Sequence, residues 1–213
     1  IKHIRKYIKQ HDINIMHCHQ YTPWVYGVLA ALGTGCKVIF TEHGRFYPDR
    51  TSWKRRLFNP LLTRITDQIT VISKATKEAL VKYEFIPPDQ IQLIYNGIQP
   101  LKTNQEKNKQ TKKRYGLKDS TKILGTIARL DPIKNQVMMI RAFKEVLDSS
   151  PDSVLLIVGD GEERKNLEQL AKNLAIENFI IFTGNIPEPQ DLLGIMDIFL
   201  LSSLSEGTSM TLL

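Results

Sequence analysis

Arg129 and Lys134 stand five residues apart, where the apolar run Ile123 to Ala128 ends and a helical pattern begins. Ligands of open α/β sheets bind outside the carboxyl ends of the strands. Two cations at such a strand end, beside the unsatisfied N–H groups of a helix start, suit a phosphate or a diphosphate. The spacing alone fits two solvated loop cations better, so the neighbouring strand ends carry weight. Val154 to Val158 runs into Gly159-Asp160-Gly161, a turn whose glycines permit positive φ and close approach of backbone to a ligand. Asp197 to Leu201 leads to Glu206-Gly207-Thr208-Ser209. There the backbone amides of a turn that opens a helix would cradle an anion, and the Glu206 carboxylate would meet sugar hydroxyls or balance positive charge.

The elements that must position these residues are legible as alternating patterns. Strand candidates are Ile13–His17, Lys37–Thr41, Gln68–Ile72, Gln92–Tyr95, Ile123–Ala128, Val154–Val158, Phe179–Phe182 and Ile198–Leu201. Helical patterns lie between them at Tyr26–Leu32, Lys54–Ile65, Lys74–Lys82, Gln136–Leu147 and Glu163–Leu174. Apolar strands separated by helices imply parallel sheets covered on both faces. The rhythm breaks once, between Gln99 and Lys118, where the chain is polar and Lys-rich and reads as a crossover, or a linker plus a short helix ending near Gly116. The expected organisation is therefore residues 1–98, a crossover at 99–118, and residues 119–213.

The 213 residues, 42% hydrophobic and 24% charged, have the composition of a globular protein with a sizeable core. No apolar run approaches a membrane span, and the first residues do not read as a signal peptide. Cys18 and Cys36 lie in apolar runs and read as buried thiols of a reducing compartment. The net charge of +7 is local: residues 1–56 hold ten Lys and Arg against three acids, leaving nineteen of each for the rest. In the stretch 45–58 cations interleave with Phe46, Tyr47, Trp53 and Phe58. That mixture suits an anionic membrane surface or a phosphorylated acceptor. Nucleic acid would also answer to the charge, but would leave the three strand-end motifs unexplained. His17 and His19 fall on one face of a strand, with no third metal ligand evident nearby, so no metal site is expected.

As a set, these residues resemble the retaining, nucleotide-sugar-dependent glycosyltransferases of family 4, which have the GT-B fold. Arg129 and Lys134 match the family's strand-end cation pair, with Ala128 where the family usually has Gly. Gly159-Asp160-Gly161 matches its glycine turn, and Phe182-Thr-Gly-Asn185-Ile186-Pro187 the segment lining the nucleobase. Glu206-Gly207 matches the start of its two-glutamate signature, Asn14-Ile-Met-His17-Cys-His19 a strand normally written Asp-x-x-His-x-His, and Thr41-Glu-His43-Gly44 the loop whose His approaches the donor sugar. Val71-Ile-Ser73 and Tyr95-Asn-Gly-Ile98 match two further landmarks.

The resemblance implies two Rossmann-like α/β domains facing across a cleft. It also implies a hexosyl-type transferase that moves a sugar from a nucleotide-diphosphate sugar, a co-substrate rather than a cofactor, to a sugar, lipid-linked or polysaccharide acceptor. Arg129, Lys134, Glu206 and His43 would be catalytic. Gly159, Asp160, Gly161, Asn185, Ile186, Gly207, Thr208 and Ser209 would bind the donor, and no metal would be needed because the two cations do its work. A cytoplasmic protein, peripheral at the inner face of the membrane, is expected. The second glutamate would fall directly after Leu213, and the family's N-terminal glycine-rich loop is not in the sequence. A fragment, incomplete at both ends and inactive alone, is thus expected. A nucleotide-sugar epimerase and a non-catalytic binding module are the alternatives.

Overall fold

The computed structural model describes residues 1–44, 51–100 and 104–212. They form two compact units, one of Ile1–Ile98 with Ser205–Leu213 and one of Gln99–Leu204.

The first unit runs α1 (Lys2–Gln10), β1 (Ile15–His19), α2 (Tyr21–Ala31), β2 (Lys37–Glu42), α3 (Trp53–Arg64), β3 (Gln68–Val71), α4 (Lys74–Glu84) and β4 (Ile91–Leu93). Its strands pair in parallel in the order β1-β2-β3-β4. Trp24 of α2 is fully buried and stacks on Phe40 of β2 at 4.7 Å, with Val28, Val38, Ile69 and Leu80 packed around the pair. Helix α2 starts five residues before its sequence-predicted start. Gln20, at φ 73°, turns the chain sharply after β1, and Pro23 is tolerated because first-turn N–H groups need no helical partner. Ser73 caps α4 by accepting a hydrogen bond from the Thr76 amide.

The second unit runs α5 (Gln105–Arg114), β5 (Lys122–Ile127), α6 (Gln136–Ser149), β6 (Ser153–Val158), α7 (Arg164–Asn173), β7 (Ile180–Gly184), α8 (Gln190–Leu193) and β8 (Ile198–Phe199). All its pairings are parallel, in the order β7-β6-β5-β8. Strand β6 is apolar without alternation because both of its faces are covered. Leu155 and Ile157 pack with Ile140, Phe143 and Leu167 on one side, and Leu156 packs with Ile123, Leu192 and Ile195 on the other. Asp197 pins β8 to β5, since its carboxylate accepts from the Ile123 amide at 2.8 Å while its own amide donates to the Ile123 carbonyl. The polar stretch read as a crossover carries α5, capped by Asn104. Helix α5 is tied to the α8 region by Lys107–Asp191 at 2.8 Å and by Asn108 donating to the Gly194 carbonyl.

The strand order makes one point in the second sheet special. Connections from β5 proceed outward through β6 to β7, whereas β8 returns to the opposite side of β5. The carboxyl end of β5 is therefore the topological switch point of this sheet.

Candidate functional site

Arg129 leaves β5 at that switch point and is held by a neighbour two residues on. Its Nε donates to Asp131 Oδ2 at 2.7 Å, while three-quarters of the side chain remains open to solvent. The other Asp131 oxygen accepts from the Ile133 and Lys134 amides at 3.0 and 3.1 Å, capping the 3-10 turn Pro132–Lys134. Burial pushes the Asp131 carboxyl up. The Arg129 hydrogen bond, the Lys134 amide, the guanidinium charge and the Ile133 amide more than offset this and hold it below the usual carboxylate range. Buried Gln136 donates to the Arg129 carbonyl at 3.0 Å. The loop after β8 closes on the same turn: Ser202 Oγ donates to the Lys134 carbonyl at 2.7 Å, and the Leu204 amide to the Ile133 carbonyl at 2.8 Å. The backbone from 129 to 134 is thus fixed at both ends before any ligand arrives.

The glycine turn after β6 is shaped by this loop. Gly159 sits at φ 129°, where an added Cβ would lie 2.1 Å from the Ala128 carbonyl oxygen, and at Gly161 it would lie 2.2 Å from that of Leu130. Both crowding atoms belong to the chain leaving β5, so these glycines let two adjacent strand ends close on each other. The Leu130 amide donates to the Asp160 carbonyl and the Gly159 amide to that of Gly184, which draws in the end of β7. Between these ends lies a cavity of about 370 Å³, lined by Ile127–Arg129 from β5, Val158–Asp160 from β6, and Asn185, Ile186 and Pro189 after β7. That volume is within the range of small-molecule sites. Arg129, Gly159, Asp160, Asn185 and Ile186, separated by up to 57 positions in the chain, line one wall system, and Lys134 stands on the adjoining turn. One guanidinium on a braced loop, the Asn185 side chain and an apolar strip can together hold a negatively charged group attached to a flat one.

In the first unit, His43 follows β2 and meets the residues that end β1. His19 Nδ1 lies 2.7 Å from His43 Nε2, and the His17 ring lies 4.1 Å from that of His19. His17 Nε2 bonds Thr41 Oγ1 at 2.7 Å, and Thr41 in turn bonds Thr70 across to β3. Burial, then the charge of His19, then that of His17 lower the His43 pKa; burial and then His19 lower that of His17. Neutral His43 is therefore favoured at neutral pH. Among the described residues, no group of three or more His, Cys, Asp or Glu side chains is arranged to hold a metal ion.

Residues 205–209 group with the first unit, although the sequence pattern places them beside the cations of the second. Gly207 runs directly against His43, where an added Cβ would lie 2.0 Å from the His43 carbonyl oxygen, and Thr208 Oγ1 donates to the Ile72 carbonyl at 3.2 Å. The helix expected to open at Gly207 is absent among the described residues; a turn over residues 210–212 stands in its place.

Sequence reasoning passed over Asp131, Gln136 and Ser202. Asp131-Pro132 had a readable signal, an N-cap residue followed by Pro at the first helical position. Gln136 and Ser202 act on main-chain carbonyls and leave no signature. The His19–His43 pairing depends on strand register and was equally hidden. Of the basic-aromatic stretch, residues 45–50 lie outside the described residues.

Comparison with known proteins bears on this geometry. A family model described as Glycosyltransferase Family 4 matches residues 1–100, and one described as Glycosyl transferases group 1 matches residues 107–213, half of the chain. The chain belongs to the group 1 glycosyl transferases. Among curated relatives, the N-acetyl-alpha-D-glucosaminyl L-malate synthase of Bacillus anthracis is 30% identical over 211 residues, covering 96% of this chain and 54% of that protein. The UDP-Gal:alpha-D-GlcNAc-diphosphoundecaprenol alpha-1,3-galactosyltransferase of Escherichia coli is 27% identical, covering 98% of this chain and 56% of the relative. The chain spans about half the length of the curated relatives it matches. Among solved structures, Anabaena HepE in complex with UDP and glucose superposes with a TM-score of 0.86 at 21% identity, over 98% of this chain and 58% of that one. A glycosyltransferase from Rickettsia africae does so at 0.79 and 22%, over 95% and 55%. The two parallel α/β units are those of a GT-B glycosyltransferase, as the resemblance implied.

Proposed function

We propose that the chain serves a retaining hexosyl-type glycosyltransferase that transfers a sugar from a nucleotide-diphosphate sugar to a lipid-linked or polysaccharide acceptor. The observation that carries this reading is the cavity at the carboxyl ends of β5, β6 and β7, where Arg129 is braced by Asp131 beside the Gly159–Gly161 turn. Negative charge develops on the departing diphosphate, and fixed cations and amides stabilise it without reorganising during the reaction. In this reading Arg129 and Lys134 bind the diphosphate, the Gly159–Gly161 backbone lies against it, and Asn185 and Ile186 meet the base. His43 and Glu206 orient the sugar, and Gly207, Thr208 and Ser209 complete the donor site. Retention is carried over from the resemblance and would correspond to acceptor attack from the face the diphosphate leaves. The relatives' names, a galactosyltransferase acting on a diphosphoundecaprenol-linked sugar among them, favour a membrane-borne acceptor, and the basic stretch 45–58 would face that membrane.

Calorimetric titration with UDP tests the donor site. Arg129→Ala should weaken UDP binding roughly ten- to hundred-fold, the loss of a charge-assisted pair, while circular dichroism stays unchanged. Undiminished affinity in that variant would remove the clamp. Product analysis with labelled donor separates transfer from epimerisation, since only transfer requires an acceptor.

A further inference from the structure

Helix α3 is inside out. On its inward side stand Asn59 and Thr63, both buried, with Arg55 and the partly buried Leu62 beside them. On its outward side stand Trp53 (72% exposed), Leu57 (57%), Phe58 (54%), Leu61 (53%) and, at the C-cap, Ile65 (45%). At 100° per residue these five fall on one arc, together with Lys54 and Arg64. Ordinary surface helices have the reverse arrangement, and scattered single apolar residues would need no explanation, but a contiguous arc does.

The orientation is locked from within. Asn59 accepts from the Tyr21 hydroxyl at 2.8 Å and donates to the Glu84 carbonyl and carboxylate at 2.9 and 3.2 Å. Arg55 pairs with the same carboxylate at 2.8 Å and lies over the Tyr21 ring, and Thr63 donates to the Asn59 carbonyl. Rolling α3 to bury its outward leucines would pull Asn59 and Arg55 away from Tyr21 and Glu84, at the desolvation cost of buried polar groups. The chain thus uses polar anchors on α2 and α4 to hold an apolar face outward.

Charge selects the occupant. From Trp53 to Ile65 the chain carries Lys54, Arg55, Arg56 and Arg64 and no acid, and the first three close the quarter of the sequence that holds the whole net charge. Cations whose aliphatic stems lie along an apolar face extend their charged heads past it, and a Trp at the rim suits the boundary between headgroup and hydrocarbon. We propose that α3 is an interfacial anchor lying on an anionic lipid bilayer. Trp53, Leu57, Phe58, Leu61 and Ile65 enter the headgroup boundary, and Lys54 and Arg64 meet lipid phosphates. This rests on the membrane-side reading proposed above, sharpens it to one helix face, and is independent of the sugar chemistry.

The chain has two tryptophans, and Trp24 is fully buried, so Trp53 reports the contact. With phosphatidylglycerol-containing vesicles its emission should shift to the blue and the protein should co-sediment. With phosphatidylcholine vesicles, or with phosphatidylglycerol vesicles at high salt, both signals should fall. Leu57→Asp with Leu61→Asp should lower vesicle partitioning roughly ten-fold or more, while circular dichroism and UDP binding stay unchanged; the milder Leu61→Ser is the second variant should the pair misfold. Equal partitioning of wild type and either folded variant overturns the inference. So does sedimentation equilibrium showing that the face mediates self-association in place of vesicle binding. Loss of vesicle binding with UDP binding intact removes this inference alone; loss of UDP binding with vesicle binding intact removes the donor reading alone.

Discussion

Asp131 decides whether Arg129 is a surface cation or a tool. It spends one oxygen on the guanidinium and the other on two amides, so one side chain sets both the direction of the arginine and the turn that carries Lys134. Asp131→Ala should cost about 1–2 kcal/mol of stability, the scale of a lost cap, and should weaken UDP binding although Asp131 does not itself line the cavity. Urea unfolding and calorimetry measure the two effects separately. Because its carboxyl lies below the usual range when folded, this stabilisation is complete above that range and is lost as pH falls through the folded value. Gly159→Ala meets both a positive φ and the Ala128 carbonyl, and should destabilise by roughly 2–4 kcal/mol. A midpoint unchanged in denaturant would contradict that placement. The imidazoles of His17 and His43 titrate low, so protonation works against the folded first unit. Stability should be complete above the ordinary imidazole value and decline as pH drops below it. His19 and His43 share one hydrogen bond. A coupling between the two ring nitrogens across that bond should be measurable by NMR; its absence would break the pairing.

Among the elements, long apolar ones were legible and short or polar ones were not. Strand β6 announces itself because five consecutive apolar residues have no reading but burial on two faces. Strand β4 covers only Ile91–Leu93; the next apolar pair, Ile94 and Tyr95, is exposed, so composition without a neighbour to pack on misplaces the strand end. Helix α3 misleads in a different way. Its apolar residues are at helical spacing, as a core face would be, and only the partners of Asn59 reveal that they point outward. Asn59→Leu should loosen α3 by about 1–3 kcal/mol despite adding apolar surface, because the Tyr21 hydroxyl and the Glu84 carbonyl lose their bonds to Asn59. Amide hydrogen exchange across residues 53–64 reads this directly, and unchanged protection would show that the anchors do not hold the helix.

For the whole molecule, the two units have separate cores, and the cavity belongs to one of them. UDP should therefore slow hydrogen exchange at residues 127–136, 159–161 and 185–189 and leave the protection of β1 to β4 largely unchanged; a ligand stabilises the segments whose opening destroys its site. Protection confined to residues 37–44 would move the donor site elsewhere. The sequence by itself determined two runs of parallel β/α units, the placing of Arg129, Lys134 and the Gly159–Gly161 turn at strand ends, and the concentration of basic charge in the first quarter. These are local properties, carried by hydrophobic period and by glycine and proline chemistry. Tertiary structure alone decided the return of β8 to the far side of β5, and hence the switch point. It also decided the hold of Asp131 and Ser202 on the cation turn, the pairing of His19 with His43, the packing of Gly207 on His43, and which way α3 faces. Each of these joins residues through a carbonyl, a register or a neighbouring helix, and such pairings exist only once the chain has folded.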